Sequence, residues 1–347
     1  MALWTRWSIE RRPLSAVVQV SILSVAPGFD AAALRAELPL HGAGATLTPD
    51  QQAYLDHYGI HFAAELPGLS HEFGVVEAPG HRIATHLWVP PQAVGSAVVV
   101  HGYYDHTGLY GHLIRGLLER GLAVLAFDLP GHGLSTGAPA TIDSFDRYVE
   151  ALDAALAVLG PRLPGPWTLF GQSTGGAVSM EWLLSRRAAG IASPFARVVL
   201  LAPLVRPFGW PVQRLVYTAA RLFISERPRT FAHNAENPEF LTFLRDHDPL
   251  QARTLPVAWV TAMVQWRRRF ERYPASDQRV LVVQGHADQT VDWRYNLRVI
   301  DRLFDARVFA IPAARHHLVN ESPAIRAQIL QAIEGELAGA VALLPVR

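Results

Sequence analysis

The chain has 347 residues, half of them hydrophobic and 18% charged, with 31 basic residues against 30 acidic ones. That length suits one large α/β domain or one domain with an insertion. The charge balance leaves no electrostatic footprint for a nucleic-acid partner. There is no cysteine, which excludes disulfides, thiolate zinc sites, iron–sulfur clusters and cysteine nucleophiles. There is no lysine either, so every basic residue is an arginine. A Walker A loop, a pyridoxal phosphate Schiff base and a protein-kinase strand lysine are therefore excluded.

No apolar run reaches the ~18 residues of a membrane span. Leu14–Val25 follows Arg11 and Arg12 and loosely resembles a signal h-region, but Gln19 and several serines interrupt it and no A-x-A site follows. It is expected to be a strand or helix of a cytoplasmic protein. Residues 1–70 carry no readable motif and are taken as an N-terminal extension of unknown role. His71–Ala78 and His81–Val89 flank Pro79-Gly80 and predict an antiparallel hairpin. Short apolar runs follow at Ala97–Val100, Ala123–Phe127, Trp167–Phe170, Val198–Leu201, Val280–Val283 and Arg307–Ile311. Such runs fit strands buried on both faces. Helical stretches alternate with them at Leu109–Arg120, Phe145–Leu159, Gly175–Arg187, Arg294–Phe304 and Pro323–Leu337. The pattern predicts an α/β fold with a mostly parallel central sheet and helices on both faces. The alternation breaks after Leu201, so 71–203 and 276–340 are read as the core and 204–275 as an inserted helical cap.

The sharpest motif is Gly171-Gln172-Ser173-Thr174-Gly175, placed where a strand ends and a helix begins. That turn is so tight that the residues two before and two after the serine must be small, and it pushes the hydroxyl out at the sheet's carboxyl edge. The helix N-terminus beneath favours developing negative charge. Ser173 is thus the candidate nucleophile. A serine nucleophile needs a base, and the base an orienting acid. Asp288 follows the run Val280–Val283, and His316 and His317 follow Arg307–Ile311. The order serine, acid, histidine fits this chemistry. The oxyanion requires two backbone N–H donors; Thr174 and, after the strand ending at Val100, Tyr103 are the candidates.

Two rival motifs fail. Gly131-His132-Gly133-Leu134-Ser135-Thr136-Gly137 has its third glycine one place too late for a dinucleotide loop. The 15 histidines include no H-E-x-x-H, so neither metal nor cofactor is expected.

The blocks HGYYDHTGLYGHL, GLAVLAFDLPGHGLSTG, GQSTGG, QGHADQTVD and ARHHLVNE resemble the monoacylglycerol lipase and lysophospholipase branch of the α/β-hydrolases over about 94–335. The resemblance implies an α/β-hydrolase fold and a serine esterase. Its closing H-x-L-x-x-E pattern aligns with His316, Leu318 and Glu321 and selects His316, not His317, as the base. Asp246-His247-Asp248-Pro249-Leu250 resembles a cap segment of that branch. Gln172 departs from the branch's common histidine, and Tyr103 is bulkier than its usual small residue.

Within 204–275, Trp259, Met263, Trp266, Phe270 and Tyr273 form a helical stripe, with Arg267, Arg268, Arg269 and Arg272 on other faces. The stripe either packs on the core or lines an acyl pocket with the arginines near a lipid headgroup or membrane surface. Tyr104, Trp259, Met263 and Trp266 are the candidate substrate-binding residues. The expected partner is a small-molecule or lipid ester, with peripheral membrane contact through the cap. Other serine-dependent acyl chemistry (peptidase, thioesterase, acyltransferase) and a non-catalytic binding protein remain alternatives, because fold alone does not decide function.

Overall fold

The computed structural model of the chain describes residues 28–41 and 46–339; the Leu14–Val25 run lies outside them. Two short helices come first, α1 (Ala31–Glu37) and α2 (Pro49–His57). Asp30 caps α1 with its carboxylate, and Thr48 and Gln51 form a capping box at the proline start of α2. The hairpin β1 (Ser70–Ala78) and β2 (His81–Val89) turns at Gly80, whose φ of 76° suits glycine. Then follow β3 (Gly95–Val100), α3 (Gly111–Leu118), β4 (Leu122–Phe127), α4 (Asp146–Leu159), β5 (Trp167–Gln172), α5 (Thr174–Ala188) and β6 (Phe195–Leu201). The segment between β6 and β9 holds α6 (Trp210–Ala220), β7 (Glu226–Pro228), α7 (Pro238–Thr242), β8 (Thr254–Pro256) and α8 (Val257–Phe270). The chain closes with β9 (Arg279–Gly285), α9 (Trp293–Leu303), β10 (Asp305–Ile311) and α10 (Pro323–Ala338).

Eight strands form one sheet in the order β1-β2-β4-β3-β5-β6-β9-β10, antiparallel where β2 meets β1 and β4 and parallel elsewhere. This is the mostly parallel sheet that the alternation predicted. The strands are apolar throughout because they serve two cores. Val98 and Val100 of β3 join one cluster, while Ala97 and Val99 join the other. The same split divides Val280 and Val282 from Leu281 and Val283 in β9. Helices α4, α5, α8 and α9 cover the first face; α1, α2, α3 and α10 cover the second.

Residues 28–41 and 46–69, read from sequence without a role, pack into that second face: Leu34, Tyr54, Ile60 and Phe62 are fully buried there. The segment between β6 and β9 differs from an all-helical expectation. β7 and β8 pair as an antiparallel ribbon of three residues each, too short to leave a period-2 signature. Its helix α6 exposes Val212, Leu215 and Val216, and Leu222 and Phe223 follow just beyond it.

Candidate active site

Ser173 sits between β5 and α5 with φ 53° and ψ −113°, a conformation costly for a residue with a side chain. The turn is held by its own hydrogen bonds: the Ser173 N–H donates to the Leu201 carbonyl (2.8 Å), and the Leu204 N–H to the Ser173 carbonyl (3.0 Å). The flanking glycines are required by space. A Cβ on Gly171 would lie 2.6 Å from the Gly175 carbonyl oxygen, and one on Gly175 only 2.0 Å from that of Val100. A Cβ on Gly102 would lie 3.4 Å from that of Ser173, so the loop after β3 passes directly against Ser173.

Loops at the ends of two further strands bring the other two side chains in. His316 Nε2 is 2.9 Å from Ser173 Oγ, and His316 Nδ1 is 2.8 Å from Asp288 Oδ2. With the proton on Nδ1, the imidazole donates to the carboxylate and accepts from the serine hydroxyl. The second Asp288 oxygen accepts the Thr290 (2.8 Å) and Val291 (3.1 Å) N–H groups. Burial pushes the Asp288 carboxyl up, but the imidazole and these donors outweigh it and hold it below the usual carboxylate value. Ser173, Asp288 and His316 are thus brought into one hydrogen-bonded line. The Tyr103 and Thr174 N–H groups, one after β3 and one at the first turn of α5, donate to no acceptor among the described residues.

Several further residues fix this geometry. Gln172 donates to the His316 carbonyl (2.8 Å), which gives the departure from histidine a structural role. The Asn234 carbonyl of the segment between β6 and β9 accepts the N–H groups of both His316 (3.0 Å) and His317 (2.8 Å). Glu321 accepts those of Arg315 and Glu236, both at 2.6 Å. His317 pairs with Asp105 at 3.1 Å; Asp105 also accepts from Tyr110, which in turn accepts the Gly102 N–H. A second buried pair joins His106 to Asp248 (3.1 Å), and the Tyr58 hydroxyl donates to the same carboxylate. Burial alone would pull His106 down, but the Asp248 charge outweighs it and raises the imidazole above its ordinary value. Glu321 and Asp248 lie in segments that the family resemblance marks, though without these roles; Asn234 and Tyr58 carry no such signal.

A cavity of about 410 Å³ opens over Ser173. Tyr103, Tyr104, Trp259 and Met263 line it, with Leu241, Leu244 and Phe231 among the apolar walls. Tyr103 stacks on Trp259 at 3.8 Å. Trp266 requires correction as a substrate-binding residue. It turns into the core, stacking on Phe145 at 4.8 Å and donating to Glu181 at 3.0 Å. Helix α8 presents Trp259, Val260 and Met263 to the cavity, and Trp266 lies past the last of them. Arg269 is likewise tied to Asp146 and Glu181; the arginines at the cavity are Arg227, Arg229 and Arg245. Among the described residues, no three His, Asp or Glu side chains gather as a metal ion would need.

A family model described as serine aminopeptidase, S33 matches residues 91–323. The chain is 27% identical to the human monoglyceride lipase over 271 residues, covering 75% of this chain and 88% of that one. It is 24% identical to the monoacylglycerol lipase of Mycolicibacterium smegmatis over 253 residues, 70% of this chain and 88% of that one. The crystal structure of a Paleococcus ferrophilus monoacylglycerol lipase superposes with a TM-score of 0.63 at 22% identity, covering 74% of this chain and 98% of that one, and shows the same fold.

Proposed function

The chain belongs to the serine aminopeptidase S33 family of α/β-hydrolases, and from that premise we propose a serine esterase for monoacylglycerol, lysophospholipid or similar medium- and long-chain acyl esters. It is a carboxylic ester hydrolase, as its similarity to monoglyceride lipases indicates. The observation that carries the serine mechanism is the line Ser173–His316–Asp288, at 2.9 and 2.8 Å, beneath an apolar cavity. In this reading Ser173 attacks the ester carbonyl while His316 takes its proton. Asp288 holds the imidazole and stabilises its charge. The Tyr103 and Thr174 N–H groups receive the oxyanion. The alcohol leaves with the proton from His316, which then activates water to release the acid.

A specific observation disfavours the aminopeptidase reading that the family description suggests. An aminopeptidase must hold a substrate ammonium, which calls for a free carboxylate near the serine. Asp105 is the carboxylate among the described cavity-lining residues, and it is bound to His317 and Tyr110. The walls instead present arginines. We take 204–275 as the cap that covers the site. The apolar residues exposed on and after α6, interspersed with Arg214 and Arg221, support its peripheral contact with a lipid surface in a cytoplasmic enzyme. No helix among the described residues is long and apolar enough to cross a membrane.

Labelling with a fluorophosphonate probe tests the mechanism. The reading expects one adduct, on Ser173, lost in Ser173→Ala; an unlabelled wild-type chain would leave the binding-protein alternative standing.

A further inference from the structure

Two of the arginines that line the cavity form no salt bridge among the described residues, whereas the third, Arg245, does. Arg227 and Arg229 stand on the ribbon strand β7 and its extension, where the Arg229 N–H donates to the Arg253 carbonyl at 2.9 Å. Both line the cavity. Two residues apart on an extended strand, they fall on the same face.

Arg229 is the more enclosed. Its guanidinium lies 3.9 Å from the centroid of the Tyr104 ring and 4.4 Å from that of Phe231. Its Nη1 is held by the neutral Gln251 side chain and the Ala252 carbonyl. Neither Arg227 nor Arg229 forms a salt bridge among the described residues, whereas neighbouring Arg245 pairs with Asp246 at 2.7 Å. The carboxylates whose field reaches Arg229 are already engaged, Asp105 with His317 and Asp248 with His106. Holding a guanidinium in an apolar wall without a counter-ion costs free energy, and burial pulls this one below its ordinary pKa. Stacking on two rings explains why the side chain is flat. It does not explain why it is charged, since a neutral planar group would stack as well. A guanidinium whose faces are covered still offers its edge, which matches the oxygens of a phosphate or carboxylate.

We propose that Arg229 and Arg227 form an anion subsite, and that the ester taken by this cavity is an amphiphile bearing a phosphate or carboxylate group paired with them. The ester part of this statement rests on the esterase reading above; the anion part does not. The anionic substrate supplies the missing counter-charge on binding, so a neutral acyl glycerol is the poorer ligand. The apolar walls around the arginines require the anion to arrive attached to an aliphatic chain.

The test reads binding without turnover. Dissociation constants of decyl phosphate, decanol and inorganic phosphate are measured by titration calorimetry below the micellar limit, near neutral pH. Decyl phosphate is expected to bind at least about tenfold more tightly than decanol, the scale of one charge-assisted contact. Arg229→Gln should bring that ratio to within about twofold, and Arg227→Gln should lower it part of the way. Arg227 is exposed, so Arg227→Gln keeps the test available should Arg229→Gln fail to fold. A wild-type ratio near one, or a ratio unchanged in both variants, overturns the subsite. Displacement of decyl phosphate by an equal concentration of inorganic phosphate overturns the amphiphile half, because the subsite would then serve the free ion. Fluorophosphonate labelling of the same preparation separates the two readings. A chain that prefers decyl phosphate yet resists labelling counts against the esterase alone; a labelled chain without the preference counts against the subsite alone.

Discussion

Replacing Gly175 with alanine would put a methyl group where the molecule has no room. The new Cβ would lie 2.0 Å from the Val100 carbonyl oxygen and 2.6 Å from that of His101. Real contacts essentially never fall below 3.0 Å, so the start of α5 and the end of β3 must part by 3.0 − 2.0 = 1.0 Å. Both obstructing atoms are backbone, and no rotamer change relieves them. The elements driven apart carry the two candidate oxyanion donors, Thr174 N–H on α5 and Tyr103 N–H after β3. Misplacing catalytic groups by about 1 Å costs on the order of 10²-fold. Losing one oxyanion donor costs roughly 10²–10³-fold. Gly175→Ala is therefore expected to lower kcat/KM on a p-nitrophenyl ester by roughly 10²–10³, mostly through kcat. Overpacking should remove about 1–3 kcal/mol of stability, read from a denaturant midpoint. A folded Gly175→Ala chain keeping more than a third of wild-type kcat/KM would refute the placement of the donors.

Three further outcomes follow from the same geometry. His316→Ala should lose several orders of magnitude of turnover, and His317→Ala far less, since His317 binds Asp105 rather than the serine; the reverse order of losses would move the base by one residue. Trp259→Ala should depress kcat/KM selectively for long acyl esters, at roughly 0.8 kcal/mol per methylene left uncovered. Trp266→Ala should cost about 3–5 kcal/mol of stability without reshaping the acyl-length profile; a profile altered by Trp266 and untouched by Trp259 would contradict the cavity lining. Burial pulls His71 and His132 down to about 3 from 6.5. Between those values the unfolded chain binds protons that the folded chain does not, so stability falls as pH falls below 6.5. At about pH 4.5 the loss is about 2–3 kcal/mol for each histidine. A urea midpoint that stays level down to that pH would count against it.

The parts of the fold that were legible are those where one residue pattern has one physical solution. A run such as Val280–Val283 is apolar at every position because alternate residues feed different cores, and that constraint shows in one dimension. The tight turn at Ser173 is legible for the same reason, since Gly171 and Gly175 meet backbone atoms that no side chain could clear. The packing of residues 28–41 and 46–69 is not legible, although Thr48 and Gln51 carry a capping-box signature with Pro49 between them. Its helix α2 is nine residues long, and what fixes it is tertiary, through Tyr54 in the second core and Tyr58 on Asp248. The stripe on α8 gave the apolar face but not its division. Trp259 meets the cavity and Trp266 the core, because the latter stacks on Phe145 and donates to Glu181 of α5. The ribbon that brings Arg229 to the site is set by long-range pairing of two three-residue strands, for which no local pattern exists.

The central claim is that Ser173, activated by His316, is the nucleophile of an esterase. The most direct measurement is kcat/KM of wild-type and Ser173→Ala protein on a series of p-nitrophenyl esters from acetate to long acyl chains. The account predicts turnover that rises with chain length in the wild type and falls by roughly 10⁴–10⁶-fold in the variant, with the fold intact. A Ser173→Ala chain that keeps more than a tenth of wild-type turnover would contradict it.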